Sequence, residues 1–377
     1  MSIQIVTDEP LAQLEKHLVA QVILSDRSPT FDMQDGPEKQ VLEPFPELYS
    51  ALQFLDQKVT TPWREADQKA LRSQSQHRFL AQTAIVTGTA AIVLAVVQLS
   101  IKLTWHQLTG IALVLEAAAV IAAVVAVAVG LTAKYNREWL GHRHLAEQLR
   151  MLKFRALGEI WRFDPAHWQK WVEEQFDEVK GSAEFERVAQ WSEEGEVEPY
   201  DPRFTSSTLD PHSATALTIY YRVKRLDFQA NYFKSRHDSY TRQTGRWLHL
   251  SLPLFLASVF CVLAHFGAEF WEGRLKLAGD EHGAAFWYNI SIWCVALAAV
   301  IPVLGIGVRA WFAALELPRS ASLFAAKHRA LVRASAHLHE DSNDLGAMLR
   351  HIAQSEHFLE HEHREWLRLL SDSEWFL

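Results

Sequence analysis

Two stretches decide the fold: Thr83–Ile101, TAIVTGTAAIVLAVVQLSI, and Thr109–Ala133, TGIALVLEAAAVIAAVVAVAVGLTA. The first has 19 residues and no charge. At a helical rise of about 1.5 Å per residue it covers roughly the 30 Å of a bilayer's hydrocarbon core. The second is longer and holds one charge, Glu116. Two similar runs follow, Trp247–Phe266 (WLHLSLPLFLASVFCVLAHF) and Phe286–Val308 (FWYNISIWCVALAAVIPVLGIGV). Pro302 and the Gly305/Gly307 pair interrupt the last. Their length and near absence of charge favour spanning helices over the buried helices of a soluble bundle. The expected fold is an all-α polytopic membrane protein with four spans.

The averages conceal this. A length of 377 residues, 49% hydrophobic residues, a mean hydropathy of -0.07 and a net charge of -8 describe a mildly acidic soluble protein. With only 16 Gly, 13 Pro and 2 Cys, a collagen-like chain, low-complexity disorder and a small disulfide scaffold are excluded. Residues 1–60 hold four bases against ten acids, and residues 172–201 two against eleven, contributing -6 and -9. The remainder of the chain therefore carries +7. Trp105, Trp139, Trp247, Trp287 and Trp311 stand at or just beyond span ends, where indoles anchor among headgroups.

Lys and Arg crowd the segments before the first and third spans and after the second and fourth. The two inter-span loops hold only Lys102, Arg274 and Lys276. By the positive-inside rule both termini and the middle of the chain are expected to be cytoplasmic. The opening MSIQIVTDEP is acidic where a secretory signal is basic, so the first span is expected to act as its own insertion signal. Cys261 and Cys294 lie inside the third and fourth spans. They read as small packing residues, with a disulfide as the lesser alternative.

The chain divides into an N-terminal cytoplasmic region (1–60), a helix–hairpin–helix segment (61–165), an acidic linker (166–211) and a second helix–hairpin–helix segment (212–377). The second reads as a copy of the first. Asp67, Ala70 and His77 recur at the spacing of Asp227, Ala230 and His237, and His142-Arg143-His144-Leu145 is similar to His328-Arg329-Ala330-Leu331. An even number of spans in each makes these parallel repeats, unlike the inverted repeats of many transporters.

The pattern Trp139-x-x-x-Arg143-x-x-Ala146-Glu147-x-Leu149-Arg150, placed just after a two-span hairpin, resembles the post-membrane helix of the SLATT group, small bacterial membrane effectors with two spans. The helix with Asp67, the segment YFKSRHDSYTRQ and a C-terminal helix ending FLEHEHREWLRLL are similar in style. The likeness covers roughly residues 61–165 and 212–370, as a doubled version. The second copy departs from it, since ELPRSASLFAAKHRALVR lacks the Trp and the Ala-Glu-x-Leu-Arg letters. The resemblance implies an effector of bacterial anti-phage defence in the inner membrane, encoded beside a nucleotidyltransferase. A cyclic or linear oligonucleotide signal would control a pore that depolarises the cell and arrests growth. The membrane subunits of Hailong-type systems are one match to that description.

Three constellations stand out among the residues themselves. Glu116 is a carboxylate inside a span, penalised by about 2.5–3.5 kcal/mol on insertion scales, so it is expected to face protein or water. At 100° per residue Ala112, Ala119 and Ala123 share its side, forming a small-residue stripe beside a candidate pore carboxylate. The second constellation is basic and aromatic. Arg143, Arg150 and Lys153 follow the first hairpin, and Arg236, Arg242 and Arg246 precede the second, interleaved with Tyr135, Trp139, Phe154, Tyr232 and Tyr240. Positive charge with aromatic faces suits an oligonucleotide, and it equally suits anionic lipid headgroups.

The third is histidine. His142/His144, His337/His339 and His361/His363 are i, i+2 pairs that point to different helix faces, and only His357/His361 has i, i+4 spacing, without further ligands. No metal or other cofactor is expected. With no GxxxxGK[ST], HExxH or G-x-S-x-G motif, no enzyme is expected either. Four Ala-rich spans in one copy enclose no wide pore, so a pore implies a homo-oligomer, taken as a tetramer. The alternative is a non-conducting scaffold that recruits cytoplasmic partners.

Overall fold

The computed structural model describes residues 9–24, 36–161, 163–181, 211–248, 250–315, 317–340 and 345–371. Among them it is helical, with short turns and no strand. Of the Pro-bearing stretch 26–46, which the sequence leads one to expect as loop, residues 26–35 lie outside the described residues, as does most of the acidic linker, and the described part holds a helix at Gly36–Leu42 instead. In chain order the helices are α1 (Glu9–Leu24), α2 (Gly36–Leu42), α3 (Pro46–Leu55), α4 (Thr61–Thr104), α5 (Thr109–Thr132), α6 (Tyr135–Gly158), α7 (Pro165–Gly181), α8 (Pro211–Tyr221), α9 (Phe228–Leu248), α10 (Ser251–Leu277), α11 (Glu281–Leu315), α12 (Leu317–Glu340) and α13 (Leu345–Ser371). Wider π-helical turns precede α4 and α9, at Asp56–Thr60 and Arg222–Asp227.

The chain folds into two compact units. One, the charged unit, gathers Met1–Gln74, Tyr135–Arg236 and Leu323–Glu374; the other, the apolar unit, gathers Ser75–Lys134 and His237–Ser322. Neither coincides with a helix–hairpin–helix segment of the sequence, since each unit draws on both.

The core of the charged unit is a single cluster. Leu14 and Leu18 of α1, Phe45, Leu48 and Leu52 around α3, Trp63 and Ala66 of α4, and Leu149, Phe154 and Leu157 of α6 enter it. So do Tyr220 and Tyr221 of α8, Leu331 and Leu338 of α12, and Met348, Ile352 and Leu359 of α13. Helices α1 to α3, in the region that the sequence sets apart, thus contribute to this core. The linker expected from 166 also starts as structure. Asp164 caps α7 by accepting the backbone N–H groups of Ala166 and His167 at 3.1 and 3.2 Å, with Pro165 at the first helical position. Trp168, Val172 and Phe176 then bury its apolar stripe, and the Trp168 indole donates to the Ala156 carbonyl at 2.8 Å.

The apolar unit contains the four helices long and apolar enough to cross a membrane, found in α4, α5, α10 and α11. Their side chains point outward: Ile111, Val114, Ile121, Phe255, Phe260, Leu263 and Ile306 are all exposed, as lipid-facing residues are. Helices α10 and α11 pack along their length. Only Ala112 and Ala126 of α5 are buried.

Two sequence expectations change here. The stretch 267–285, taken as a loop, is helix except for residues 278–280, where Gly279 has φ +76° and Asp280 accepts the Gly283 N–H at 2.9 Å. Charges made it look like loop, yet Glu272 pairs with Lys276 one turn on, at 2.6 Å, on the exposed side. Nor does Pro302 interrupt the last span, because α11 continues through it. Proline removes the donor that would meet the Ala298 carbonyl. Ser258 of α10 supplies it instead, its hydroxyl reaching that oxygen at 3.0 Å.

Candidate functional site

In α5 the stripe named by the sequence is the side least exposed. Ala112 is buried and Glu116, Ala119 and Ala123 are half-buried, while Leu113, Val114, Leu115 and Val120 between them are exposed. One carboxylate oxygen of Glu116 is buried and meets no hydrogen-bond partner. Leaving a buried polar atom unmet costs about 1–3 kcal/mol, so the position is an unfavourable one for a residue of structural use alone.

The six basic residues chosen from the sequence do not form one surface. Arg236 and Arg242 are exposed on α9, the first over the Tyr232 ring at 5.3 Å and the second donating to the Asp238 carbonyl at 3.2 Å. The side chain of Arg246 lies outside the described residues. Arg150 and Lys153 are instead buried in the charged unit, with Arg143 half-buried at its margin. Their helix, α6, packs against α13, and the periodicity that carries Ala146 and Leu149 into the core carries them in as well.

There they join a buried ionic network that the sequence reading missed. Arg225, in the π-helical turn, grips Glu356 of α13 with two hydrogen bonds, Nε to Oε1 at 2.8 Å and Nη2 to Oε2 at 2.7 Å. The two side chains are 1% and 3% exposed. The Tyr221 hydroxyl donates to the same Glu356 oxygen at 2.8 Å, and the Phe154 ring lies 5.0 Å from the guanidinium. Arg150 donates to both oxygens of Glu147 at 3.1 Å, Arg143 pairs with Glu147 and with Asp67, and Lys153 donates to the Tyr220 hydroxyl at 3.1 Å. Glu360 of α13 takes Arg155 and Arg364, and Lys327 reaches Glu362 at 2.9 Å.

Burial opposes the charges of Glu147 and Arg225, and pairing outweighs it at both, whereas at Arg150 burial prevails and lowers the guanidinium from its ordinary value. Desolvation alone would push the Glu147 carboxyl up, but Arg143, Arg150, His363 and Arg225 together hold it well below the usual carboxylate range. Burial likewise works against the Arg225 cation, and Glu356 more than restores it. Burial and then Glu356 push the Tyr221 phenol far up, so it remains a donor. Two donors in this region are left over: Arg225 Nη1 and Arg150 Nε are buried without a hydrogen-bond partner.

A second pairing joins α6 to α13. His144 and His363 stack with centroids 5.4 Å apart and planes 9° from parallel, and their Nδ1 and Nε2 atoms are 3.3 Å apart. Burial, then Arg364, lowers His144 to about 4, and burial, then His144 itself, lowers His363 well below its ordinary value. Both are neutral at pH 7. Because the folded state binds these protons less readily than the unfolded chain, the pair's contribution is whole above about pH 6.5 and declines as pH falls toward 4. Thermal unfolding of the purified protein between pH 8 and 4.5 is expected to show this decline, and His144→Phe/His363→Phe to flatten it. Among the described residues no group of three or more His, Cys, Asp or Glu is placed to hold a metal ion.

Asp67 and Asp227, equivalent in the sequence comparison, each meet the helix that follows a pair of spans: Asp67 takes Arg143 at 3.1 Å and Asp227 takes the Ser335 hydroxyl at 2.7 Å. His328, the counterpart of His142, faces the Ala230 carbonyl at 3.0 Å.

Compared with known proteins, the chain matches no family model, no curated protein and no solved structure.

Proposed function

We propose that this chain is a signal-gated pore or ion-channel effector of bacterial anti-phage defence, seated in the inner membrane with both termini cytoplasmic. A nucleotide-derived ligand, a cyclic or linear oligonucleotide, acts on the charged unit, and the spans of a homo-oligomer, taken as a tetramer, conduct. A nucleotidyltransferase encoded nearby supplies the signal. The doubled arrangement of two-span segments and the likeness to the SLATT group belong to the same proposal.

The observation that carries it is α4. This helix runs unbroken from Thr61 to Thr104, placing Trp63 and Ala66 in the core of the charged unit and continuing as the first apolar span. On this reading a change in the charged unit reaches the first span through the residues of the same helix. The inward stripe of α5, with the unpartnered oxygen of Glu116, supplies a candidate lining for the pore.

Membrane-potential dye in cells expressing the protein with its signal-producing partner is expected to report depolarisation, and growth to stop. In liposomes, Glu116→Gln is expected to reduce cation over anion selectivity while leaving the protein folded. Absence of depolarisation under any signal would remove the pore and favour the scaffold that recruits cytoplasmic partners.

A further inference from the structure

We propose that the last turns of α13, residues 360–371, form an acid-released arm: the His144–His363 contact holds them against α6, and proton uptake by that pair lets them go while the rest of α13 stays docked. The arm is a device of the charged unit alone, and it stands or falls whether or not the spans conduct.

The packing divides α13 at that point. Met348, Ile352 and Leu359 enter the main core of the charged unit. Beyond Leu359 the one buried apolar residue of α13, among the described residues, is Leu367, which belongs to a separate small cluster with Leu140, flanked by Trp139 and Trp366. The first part of the helix is therefore fixed by the main core and by the Arg225–Glu356 fork. The last part leans on polar contacts. Glu360 meets Arg155 of α6, whose side chain is 41% exposed, and Glu362 meets Lys327 of α12 at 2.9 Å. Of these contacts and the imidazole pair, only the pair changes its charge between about pH 5 and 8.

The geometry of the pair makes it sensitive to that change. His144 Nδ1 and His363 Nε2 lie 3.3 Å apart, on nearly parallel rings. In the neutral pair one of these nitrogens donates and the other accepts. Two protonated rings carry hydrogen on both facing atoms, so the bond is lost and like charges meet inside the fold.

The surrounding charges give little relief. Glu147 of α6 favours a charged ring, but it is already held between Arg143 and Arg150. Arg143 of α6, Arg364 of α13 and Lys327 of α12 oppose one. Asp67 of α4 takes Arg143, and Arg225 of the π-helical turn adds to the cations around Glu147. Once released, the rings take protons as ordinary imidazoles do, near pH 6.5. The docked arm binds these protons less readily, so the contact is whole above about that pH and is lost progressively below it.

The test is hydrogen exchange of the full-length protein in detergent at pH 7.5 and 5.5, corrected for the intrinsic pH dependence of amide exchange. Across that interval one proton taken up on release is expected to raise exchange in residues 360–371 about tenfold, and two about a hundredfold, with residues 345–359 and α3 unchanged. His144→Phe/His363→Phe keeps ring packing, removes both titrating groups and is expected to bring the ratio to about one. If that variant does not fold, His144→Gln/His363→Gln, which keeps polar groups that do not titrate, takes its place with the same expected result. A second pair makes the assignment specific, since His337 of α12 and His351 of α13 also lie side by side, with centroids 6.2 Å apart. His337→Phe/His351→Phe is expected to leave the rise in 360–371 intact. The proposal is overturned by a flat profile in the wild type or by a rise shared equally with residues 345–359 and α3. A rise that survives the loss of His144 and His363, or one that disappears with His337→Phe/His351→Phe, overturns it too.

Discussion

Arg225→Met is expected to be the most destabilising single substitution in the charged unit, by about 3–5 kcal/mol, because it strands the Glu356 carboxylate in an apolar interior. That carboxylate is 3% exposed and would keep only the Tyr221 hydroxyl. For a unit of this size, about 2–4 °C of melting temperature follows each kcal/mol, so a fall of roughly 10 °C is expected in detergent. The informative partner is Arg225→Met/Glu356→Leu. Removing both charges replaces an ion pair by apolar contact with Phe154, and buried pairs replaced in that way are often neutral or better. The double variant should therefore recover most of the loss. An Arg225→Met protein that melts as the wild type does would show that the pair contributes nothing to the docking of α13.

The second large effect lies between spans. A Cβ added at Gly307 of α11 would stand 2.6 Å from the Thr89 hydroxyl oxygen and 2.9 Å from its methyl carbon, on α4. Both are branches of a short, stiff side chain in a helix, so neither can swing far. Gly307→Ala is expected to cost about 1–3 kcal/mol through overpacking and to push α4 away from α11. Thr89→Ala in the same chain removes both close atoms and should restore the contact. Gly88→Ala is the control, since nothing lies within 4 Å of a Cβ there. Thermal stability and trypsin resistance of the four proteins in detergent would read the difference, and equal behaviour of Gly307→Ala and Gly88→Ala would contradict it.

The spans were legible because lipid imposes a one-dimensional rule: twenty apolar residues in a row have few other uses. Their ends were not. Charges at Glu269, Glu272, Arg274 and Lys276 read as loop, and one-turn pairing on an exposed helix face leaves the same letters behind. The inward face of α5 was legible for a related reason, since small residues at helical spacing name the packed side.

The basic residues that the sequence sets together lie in unlike surroundings, Arg236 and Arg242 exposed on α9 and Arg150 and Lys153 buried in the charged unit. Arg143, Arg150 and Lys153 share a helix with Leu149 and Phe154, and only the arrival of α13, some 200 residues later, turns that side into an interior. Arg225 and Glu356 are 131 positions apart, and nothing local links them. The His144–His363 pair was hidden in the same way. Its members lie 219 positions apart, and the spacing of either to nearby histidines carries no sign of the other.

The length of the α10–α11 pair has a practical meaning for topology. At about 1.5 Å per residue, 27 and 35 residues give helices of roughly 40 and 52 Å, longer than a hydrocarbon core. The Trp105 and Trp293 rings, 5.6 Å apart, fix the end of α4 against α11, which had begun twelve residues earlier at Glu281. The surplus is therefore a stiff mast topped by the 278–280 turn, and an epitope inserted there would stand clear of headgroups, reporting from intact cells which side of the membrane that turn occupies.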